Sequence, residues 1–353
     1  MKALKLLFLL PLSMLSLKTT AQIDDLFKNK DITWIAEAYN DFVIDESFEA
    51  RAFEKPNHVI PLKFVNRKDD IVEERFAMQE WLINAIERGR LPIFEDEFCT
   101  KRRDSKGIFG ADSLFILDPV TFKTSVMAAD NKPHFESIPL FRAKQIIYYN
   151  AKKGQFGMRT TAIAPTLVYK DYDYNNHFDT LKRVPLFWFK PQNLNKTLRL
   201  SKRDIGWARR LNYSKGVSMD RDSLRILKNT QTNTPMNDMI SVFETKPNIP
   251  FYKYERGLDP TKKISFSERK KMLWHIDTLQ IIDPISYNVS YKVINEKLTD
   301  FELSRLQLVQ NWYWNNRKER LEIRLVAVAP MKSIAYSPDY TLYIPIFYRR
   351  TDD

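Results

Sequence analysis

The chain has 353 residues, of which 44% are hydrophobic, with 56 Lys and Arg against 44 Asp and Glu, only 8 Gly and one Cys. The apolar content is sufficient for packed cores, and the length is typical of two ordinary domains. So few glycines argue against an enzyme built on a glycine-rich phosphate loop, because such loops need several residues free to take positive φ. A single cysteine, Cys99, excludes a disulfide within the chain.

The first segment of the chain has the pattern of a secretory signal peptide, residues 1–21. Lys2 and Lys5 precede an apolar run that is too short to cross a bilayer, and Thr19 and Ala21 are the small residues of a cleavage site. Cleavage after Ala21 leaves 53 basic residues against 44 acidic ones, a net charge of +9. We therefore expect an exported protein whose anionic partners lie at the cell envelope, without nucleic acid and without a membrane span in the mature chain.

The next predicted element is a helix from Asp69 to Arg88. Its apolar residues recur with helical spacing, its acidic residues come early, and Gly89 follows as a stop signal. A much shorter counterpart is expected from Asn237 to Glu244.

The strongest strand signals form two hairpins. In the first, apolar residues alternate from Phe141 to Tyr149, a polar turn follows, and a second strand runs from Gly157 to Ala164, where Pro165 is expected to end it. The second hairpin has the same pattern, with Leu306, Leu308, Trp312 and Trp314 on one face, a strand from Glu322 to Ala329, and Pro330 as its end. The aromatic segments after Pro185 and Pro345 are predicted as third strands.

An internal repeat relates these two hairpins. Residues 118–165 align with residues 283–330 without a gap, and 12 of the 48 positions are identical. Weaker matches pair Trp34 with Trp207. A repeat of this length indicates one structural unit used twice. The fold class expected is α+β, with two tandem repeats of an antiparallel-sheet unit that carries one or two helices each.

The boundaries of the two units follow from composition. The polar stretch around residues 191–201 has the composition of a linker. We expect a first repeat over 22–190 and a second over 202–353.

Residues with catalytic potential are few. The four histidines, His58, His134, His177 and His275, have no metal-ligand spacing, and Cys99 has no neighbouring histidine. The acidic clusters Glu95 to Glu97 and Asp171 to Asp173 leave a cell-wall hydrolase open as an alternative, since paired carboxylates can act as acid and base. The tryptophans leave a polysaccharide-binding module open as another. The sequence predicts no catalytic residue, no cofactor and no metal.

Repeated polar and aromatic residues are the candidates for a partner interface. Arg159 and Arg324 occupy matching positions within strands, where an arginine either pairs within the chain or offers a bidentate donor to a partner's carboxylate. Aromatic residues near the hairpin turns are possible interface anchors. The candidates are Tyr148, Arg159, Trp312, Tyr313, Arg317 and Arg324.

The segment from Asn311 to Pro330 resembles the signature of the gliding-motility protein family GldN, also called PorN. It has an aromatic strand, a basic turn and an arginine-bearing strand that closes on Ala-x-Ala-Pro. The first half resembles the family more fully, from Trp34 through the Ala-Ile-Glu-Arg-Gly helix end to Leu186-Phe187-Trp188. The chain departs from the family in carrying the signature twice, so the resemblance is to a tandemly duplicated, divergent member.

The resemblance implies a function. Members of the family belong to the Bacteroidetes and act as periplasmic, non-enzymatic subunits of the type IX secretion and gliding machinery. They form a ring with an outer-membrane lipoprotein, GldK or PorK, and contact the periplasmic part of the motor subunit, GldM or PorM. The expected localisation is therefore the periplasm, peripheral to the outer membrane.

Overall fold

The computed structural model of the chain describes residues 23–43, 59–61, 77–105, 111–117, 124–130, 140–173, 178–194, 204–216, 224–230, 234–253, 262–298, 303, 305–337 and 340–351. Within these ranges the protein is mostly β-strand with a few short helices, and its fold class is α+β as predicted. The predicted signal peptide lies outside the described residues, and so do residues 69–76 of the first predicted helix.

The helices of the described part are α1 (23–28), α2 (Ala77–Glu87), α3 (Pro235–Thr245) and α4 (Phe266–Leu273). Its strands are β1 (Ile32–Val43), β2 (Val59–Pro61), β3 (Ile93–Phe94), β4 (Arg102–Arg103), β5 (Ala111–Leu117), β6 (Thr124–Asp130), β7 (Leu140–Asn150), β8 (Gln155–Asp173), β9 (Phe178–Pro185), β10 (Gln192–Asn193), β11 (Ile205–Gly216), β12 (Leu224–Asn229), β13 (Tyr252–Lys253), β14 (Trp274–Ile282), β15 (Val289–Lys297), β16 (Arg305–Asn315), β17 (Arg320–Ser337), β18 (Tyr340–Pro345) and β19 (Phe347–Arg350).

Local sequence signals set the helix ends. Helix α2 stops where predicted, because Gly89 takes the left-handed conformation at φ 68° that favours glycine after a helix. Helix α3 starts at Thr234, whose hydroxyl accepts a hydrogen bond from the Asn237 backbone N–H, with Pro235 in the first turn. It covers the predicted range 237–244 with one or two further residues at each end.

Two large sheets form the body of the protein, and their strands are antiparallel except for β10, which pairs with β17 in parallel. Sheet I has the strand order β12-β1-β7-β8-β9, and sheet II has the order β13-β19-β17-β16-β11-β2, with β10 and β18 also paired to β17. Both predicted hairpins are confirmed, as β7–β8 in sheet I and β16–β17 in sheet II.

The two sheets correspond in register down to their irregularities. The β7–β8 ladder shifts between Lys144 and Gln145, and the β16–β17 ladder shifts between Val309 and Gln310, the aligned positions. The ladders of β1 with β7 and of β11 with β16 are likewise irregular at the aligned positions, just before a tryptophan in each half. Bulges re-aim the following side chains, so the same side chains face inward in both sheets.

The turns match as well. The N–H of Ala151 donates to the carbonyl of Asp31 at 2.8 Å, and the N–H of Asn316 donates to that of Asp204 at the same distance. Each turn is also closed by its asparagine, which accepts from the N–H of a lysine three residues later. The equivalent bonds tie the start of β1 or β11 to the hairpin turn beside it.

The two halves exchange strands. The short strand β2 of the first half pairs with β11 in sheet II, while β12 of the second half pairs with β1 in sheet I. The helices that follow them also cross over: Arg88, just after α2, pairs with Glu319 in the β16–β17 turn, and Val242 of α3 packs against Gly154 in the β7–β8 turn. Each sheet is therefore completed by the other half of the chain.

The main apolar core lies between the sheets. Phe42 of β1 makes edge-to-face contacts with Trp312 and Tyr213 of sheet II, at centroid distances of 5.1 and 5.2 Å. The predicted inward-facing residues of both hairpins are all buried in this cluster: Phe141, Ala143, Ile147, Tyr149, Leu306, Leu308, Trp312 and Trp314. The alternation read from the sequence is confirmed.

The prolines do not end the strands, contrary to prediction. Strand β8 continues through Pro165 to Asp173, and β17 continues through Pro330 to Ser337. The ladder to the preceding strand ends one residue after each proline, and the ladder to the following strand begins at that same residue. A proline has no backbone N–H to donate, and this costs little where the strand changes from one neighbouring strand to the next. The predicted third strand after Pro345 is β19, whereas the segment after Pro185 forms only isolated bridges at Trp188 and Phe189.

Candidate interaction surfaces

The predicted interface residues divide between core and surface. Trp312 is 0% exposed, and its indole N–H donates to the side-chain oxygen of Gln310 at 3.0 Å. It stabilises the core and is no surface anchor. Arg317 is exposed in the β16–β17 turn, while Tyr313 and Arg324 are half-buried.

Tyr148 and Tyr313 occupy aligned positions on the outward faces of the two sheets. The ring of Tyr148 lies over Gly157, where a Cβ would come within 2.2 Å of it. Burial raises the pKa of the Tyr148 hydroxyl. The Tyr313 hydroxyl instead accepts a hydrogen bond from the side-chain amide of Asn311 at 2.7 Å. Both rings are therefore held in place and only partly accessible.

Arg159 binds the short helix α1 against the outer face of sheet I. Its guanidinium makes two hydrogen bonds to the carboxylate of Asp25, at 2.7 and 2.6 Å. These hydrogen bonds lower the pKa of Asp25. Leu26 packs into an apolar cluster with Ile35 and Ile146 beneath the helix. We call this contact of α1 with sheet I the N-terminal latch.

A basic cleft lies beside the N-terminal latch. It has a volume of about 470 Å³, and both Arg159 of the first half and Arg320 of the second half line it. Lys190 adds a third cation, and Asp25 is the one carboxylate in the lining. Arg159 was predicted as an interface residue, whereas Arg320 and Lys190 were not, because nothing in the chain order brings β8, β17 and the segment before β10 together. Arg159 donates to Asp25 and Arg320 to Glu322 within the chain, so the cleft would attract the carboxylates of an acidic partner through its excess of positive charge.

The acidic cluster Glu95 to Glu97 is occupied by structural contacts. Asp96 accepts hydrogen bonds from the backbone N–H groups of Phe98, Thr100 and Lys101 and so closes its own loop. Glu97 accepts from the Tyr39 hydroxyl and from Lys144, and Glu95 pairs with Lys101. The cluster therefore lacks the pair of available carboxylates that acid–base hydrolysis needs. The side chains of 171–173 lie outside the described part.

Cys99 lacks the environment of a catalytic thiol. It is buried in an apolar cluster, and burial raises the pKa of its thiol to about 12. Among the residues that the structure describes, no group of three His, Cys, Asp or Glu side chains could hold a metal ion. Of the four histidines, only His275 lies in a described range.

Among the side chains that the structure describes, the hairpin of β14 and β15, which was not predicted, carries the most exposed apolar surface. Strands β14 and β15 pair with each other, and in the described part of the chain they join neither large sheet. The signal was present in the alternation of Val289, Tyr291 and Val293 after Asp283-Pro284, a pair repeated as Asp118-Pro119 in the first half.

A family model described as "Gliding motility associated protein GldN" matches residues 54–222. No curated protein matches the chain. Over the described residues, no helix is long and apolar enough to cross a membrane.

Proposed function

Since the chain belongs to the GldN family, whose members are components of gliding motility and type IX secretion, we propose that it is a non-enzymatic structural subunit in the periplasm. In this proposal it assembles with a GldK- or PorK-like outer-membrane lipoprotein ring. It also contacts the periplasmic part of a GldM- or PorM-like motor subunit.

The extent of the family match carries this proposal. The match begins just before β2 and ends just after β11, two strands that pair with each other in sheet II. It also contains β7, β8 and β9 of sheet I. The matched segment thus contributes to both sheets, so the family relationship concerns the body of the protein rather than a peripheral segment.

The proposal includes a duplicated unit, with a first repeat over 22–190, a linker over 191–201 and a second repeat over 202–353. The matching bulges, turn hydrogen bonds and strand order of sheets I and II support it. So does the hydrogen bond at 3.1 Å between the aligned residues Gln145 and Gln310 in the core. Equivalent residues meet in this way where two similar units are related by a two-fold axis.

The basic cleft is the surface that we propose for the lipoprotein partner. Arg159, Lys190 and Arg320 line it, and Arg317 is exposed in the turn that precedes β17. The contact would be steered by the net positive charge of the chain and weakened by salt. The same charge suits contact with anionic envelope surfaces.

Co-expression with the candidate lipoprotein tests the proposal. We expect a large complex that co-elutes in low salt and dissociates as salt is raised. Lys190→Glu, in the lining of the cleft, should weaken the complex, whereas Lys152→Glu, an exposed lysine outside the cleft, should not.

Elution of the chain separately from the lipoprotein, at low salt, would contradict the proposed function. Hydrolysis of purified cell wall that is lost in a Glu97→Gln variant would instead support the enzyme alternative.

A further inference from the structure

The hairpin β14–β15 has an apolar face with no cover in the described part of the chain. Its Cα register pairs Thr278 with Val293, Gln280 with Tyr291 and Ile282 with Val289, so these side chains share one face. Fifteen large apolar side chains are exposed in the described residues, and eight of them belong to this hairpin and its turn: Trp274, Ile281, Ile282, Ile285, Tyr287, Val289, Tyr291 and Val293.

The tip of the hairpin is built rigidly. The carboxylate of Asp283 accepts hydrogen bonds from the backbone N–H groups of Ile285 and Ser286, at 2.8 and 2.7 Å. Tyr287 takes a left-handed conformation at φ 56°, which a tyrosine adopts only at a cost in free energy. Ile285 is 90% exposed and Tyr287 77% exposed. The turn therefore holds two large apolar side chains away from the body of the protein.

The size of this surface indicates that it is covered in the assembled protein. Of the eight exposed apolar side chains of the hairpin and its turn, only that of Ile281 is set aside, because it faces the other way. The remaining seven together expose an area on the order of 800 Å². Soluble monomers rarely expose contiguous apolar patches of more than a few hundred Å², and about 800 Å² per partner is typical of a stable interface. A two-stranded hairpin is also only marginally stable alone in water.

We propose that the cover is the same hairpin of a second copy of this chain, packed face to face and antiparallel about a two-fold axis. Charge complementarity supports this occupant. Between Thr278 and Tyr291 the only charged residue is Asp283 at the tip, whereas Lys270 and Lys271 are exposed at the base in the last turn of α4. In an antiparallel pair the tip of each hairpin lies against the base of the other. Asp283 of each copy therefore faces Lys270 and Lys271 of the other copy.

The same charges disfavour an anionic lipid surface as the occupant. A hairpin that enters an anionic monolayer tip first is favoured by basic residues at its tip, and here the tip carries Asp283. The proposed self-association goes beyond the proposed function and does not depend on it.

The antiparallel arrangement predicts which residues meet. Thr278 and Val293 form the middle of the exposed ladder and lie beside the axis, so each faces its own counterpart. Ile282, four residues nearer the tip, faces the base of the other hairpin. At ~3.3 Å per residue, the two copies of Ile282 lie roughly 26 Å apart.

The first test measures the mass of the chain, purified after export, by light scattering over a range of concentrations. We expect a dimer that dissociates on dilution. Ile282→Lys should weaken the dimer at least tenfold, and Ile281→Lys should leave it unchanged. The two neighbours are similarly exposed, at 56% and 46%, but lie on opposite faces. Thermal unfolding of both variants shows whether either substitution harms the fold.

The second test is disulfide cross-linking, which reports on the introduced cysteine alone because the native Cys99 is buried. Thr278→Cys should cross-link under mild oxidation, and Ile282→Cys should not. Cross-linking by Ile282→Cys alone would overturn the antiparallel arrangement.

A monomer at every concentration, equal effects of both lysine variants, or binding of the wild-type hairpin to anionic vesicles without dimer formation would overturn the proposal. Co-elution with the lipoprotein is a separate measurement, so the proposed function can fail while the dimer stands, and the reverse.

Discussion

Gly154 and Glu319 occupy the same position in the two hairpin turns, and both have positive φ, at 56° and 46°. A glycine adopts this conformation without steric cost, whereas a glutamate does not. The glutamate instead forms ion pairs with Arg88 and Arg90 at 3.4 and 3.7 Å. One backbone conformation is thus maintained by two different means.

The first prediction follows from this pair. Gly154→Ala should lower the free energy of unfolding by about 1–3 kcal/mol, because the new Cβ is strained at this φ and would lie 2.6 Å from Val242. Glu319→Gly should change it by less than about 0.5 kcal/mol, since relief of strain is offset by the loss of weak ion pairs and by glycine's entropy. Urea titration measures both. Val242→Ala should restore part of the loss in the Gly154→Ala variant, and a Gly154→Ala variant as stable as the parent would contradict the argument.

The environment of a residue could be predicted from the sequence where a pattern repeats, but not where it depends on contact between residues distant in the chain. Alignment identified Gln145 and Gln310 as equivalent, yet a lone glutamine in a strand is ordinarily exposed. Here both are 0% exposed, and Gln145 also accepts from Asn40 and Tyr213 at 2.7 Å. Burial of these amides depends on partners from other strands, which no local pattern reveals.

At the scale of elements, periodicity predicted the strands of both hairpins and the end of α2, because those features depend on neighbouring residues. It did not predict where β2 and β12 would pair. Both are short, and the choice between two sheets of the same design is made by tertiary contacts rather than by local propensity. The N-terminal latch was missed for a related reason, since α1 has only six residues and depends on Arg159 from a distant strand.

The N-terminal latch should release at low pH. Hydrogen bonds from Arg159 lower the pKa of Asp25 below its ordinary value of 3.8, so docking of α1 is stabilised above that pH and loses this contribution as the pH falls below it. A fluorophore on Lys28→Cys should lose anisotropy over this acidic range. At neutral pH, Asp25→Asn should already speed tryptic cleavage in 28–30.

Asp24→Asn is the matched control for the latch, because it makes the same charge change on the same helix. Equal cleavage rates for the Asp24 and Asp25 variants would exclude the ion pair as the cause of docking.

At the scale of the whole molecule, the exchanged strands make the two halves inseparable. Each large sheet contains a strand from the other half, at β12 in sheet I and at β2 in sheet II. The halves also share one apolar core. The two similar halves therefore form one folded body, in which each half completes a sheet of the other.

Cleavage of the linker tests this directly. With a protease site placed in 196–200, the two fragments should stay together through gel filtration and separate only in denaturant. A disulfide between Glu37→Cys and Arg225→Cys, which are Cα partners in the β1–β12 ladder, should hold them together even then. Separation of the two fragments under native conditions would contradict the exchange of β2 and β12 between the halves.

The exchange of strands also determines the order in which the protein would be completed under the proposed export. If the chain is exported from its N-terminus, β1 and β7 emerge before β12, so sheet I has an open edge at β1 until the first strands of the second half, β11 and β12, have followed. An unpaired edge is a template for aggregation. The first half therefore depends on the second not only for stability but also for protection from aggregation, and substitutions that weaken β12 should be detected first as a lower yield of folded protein.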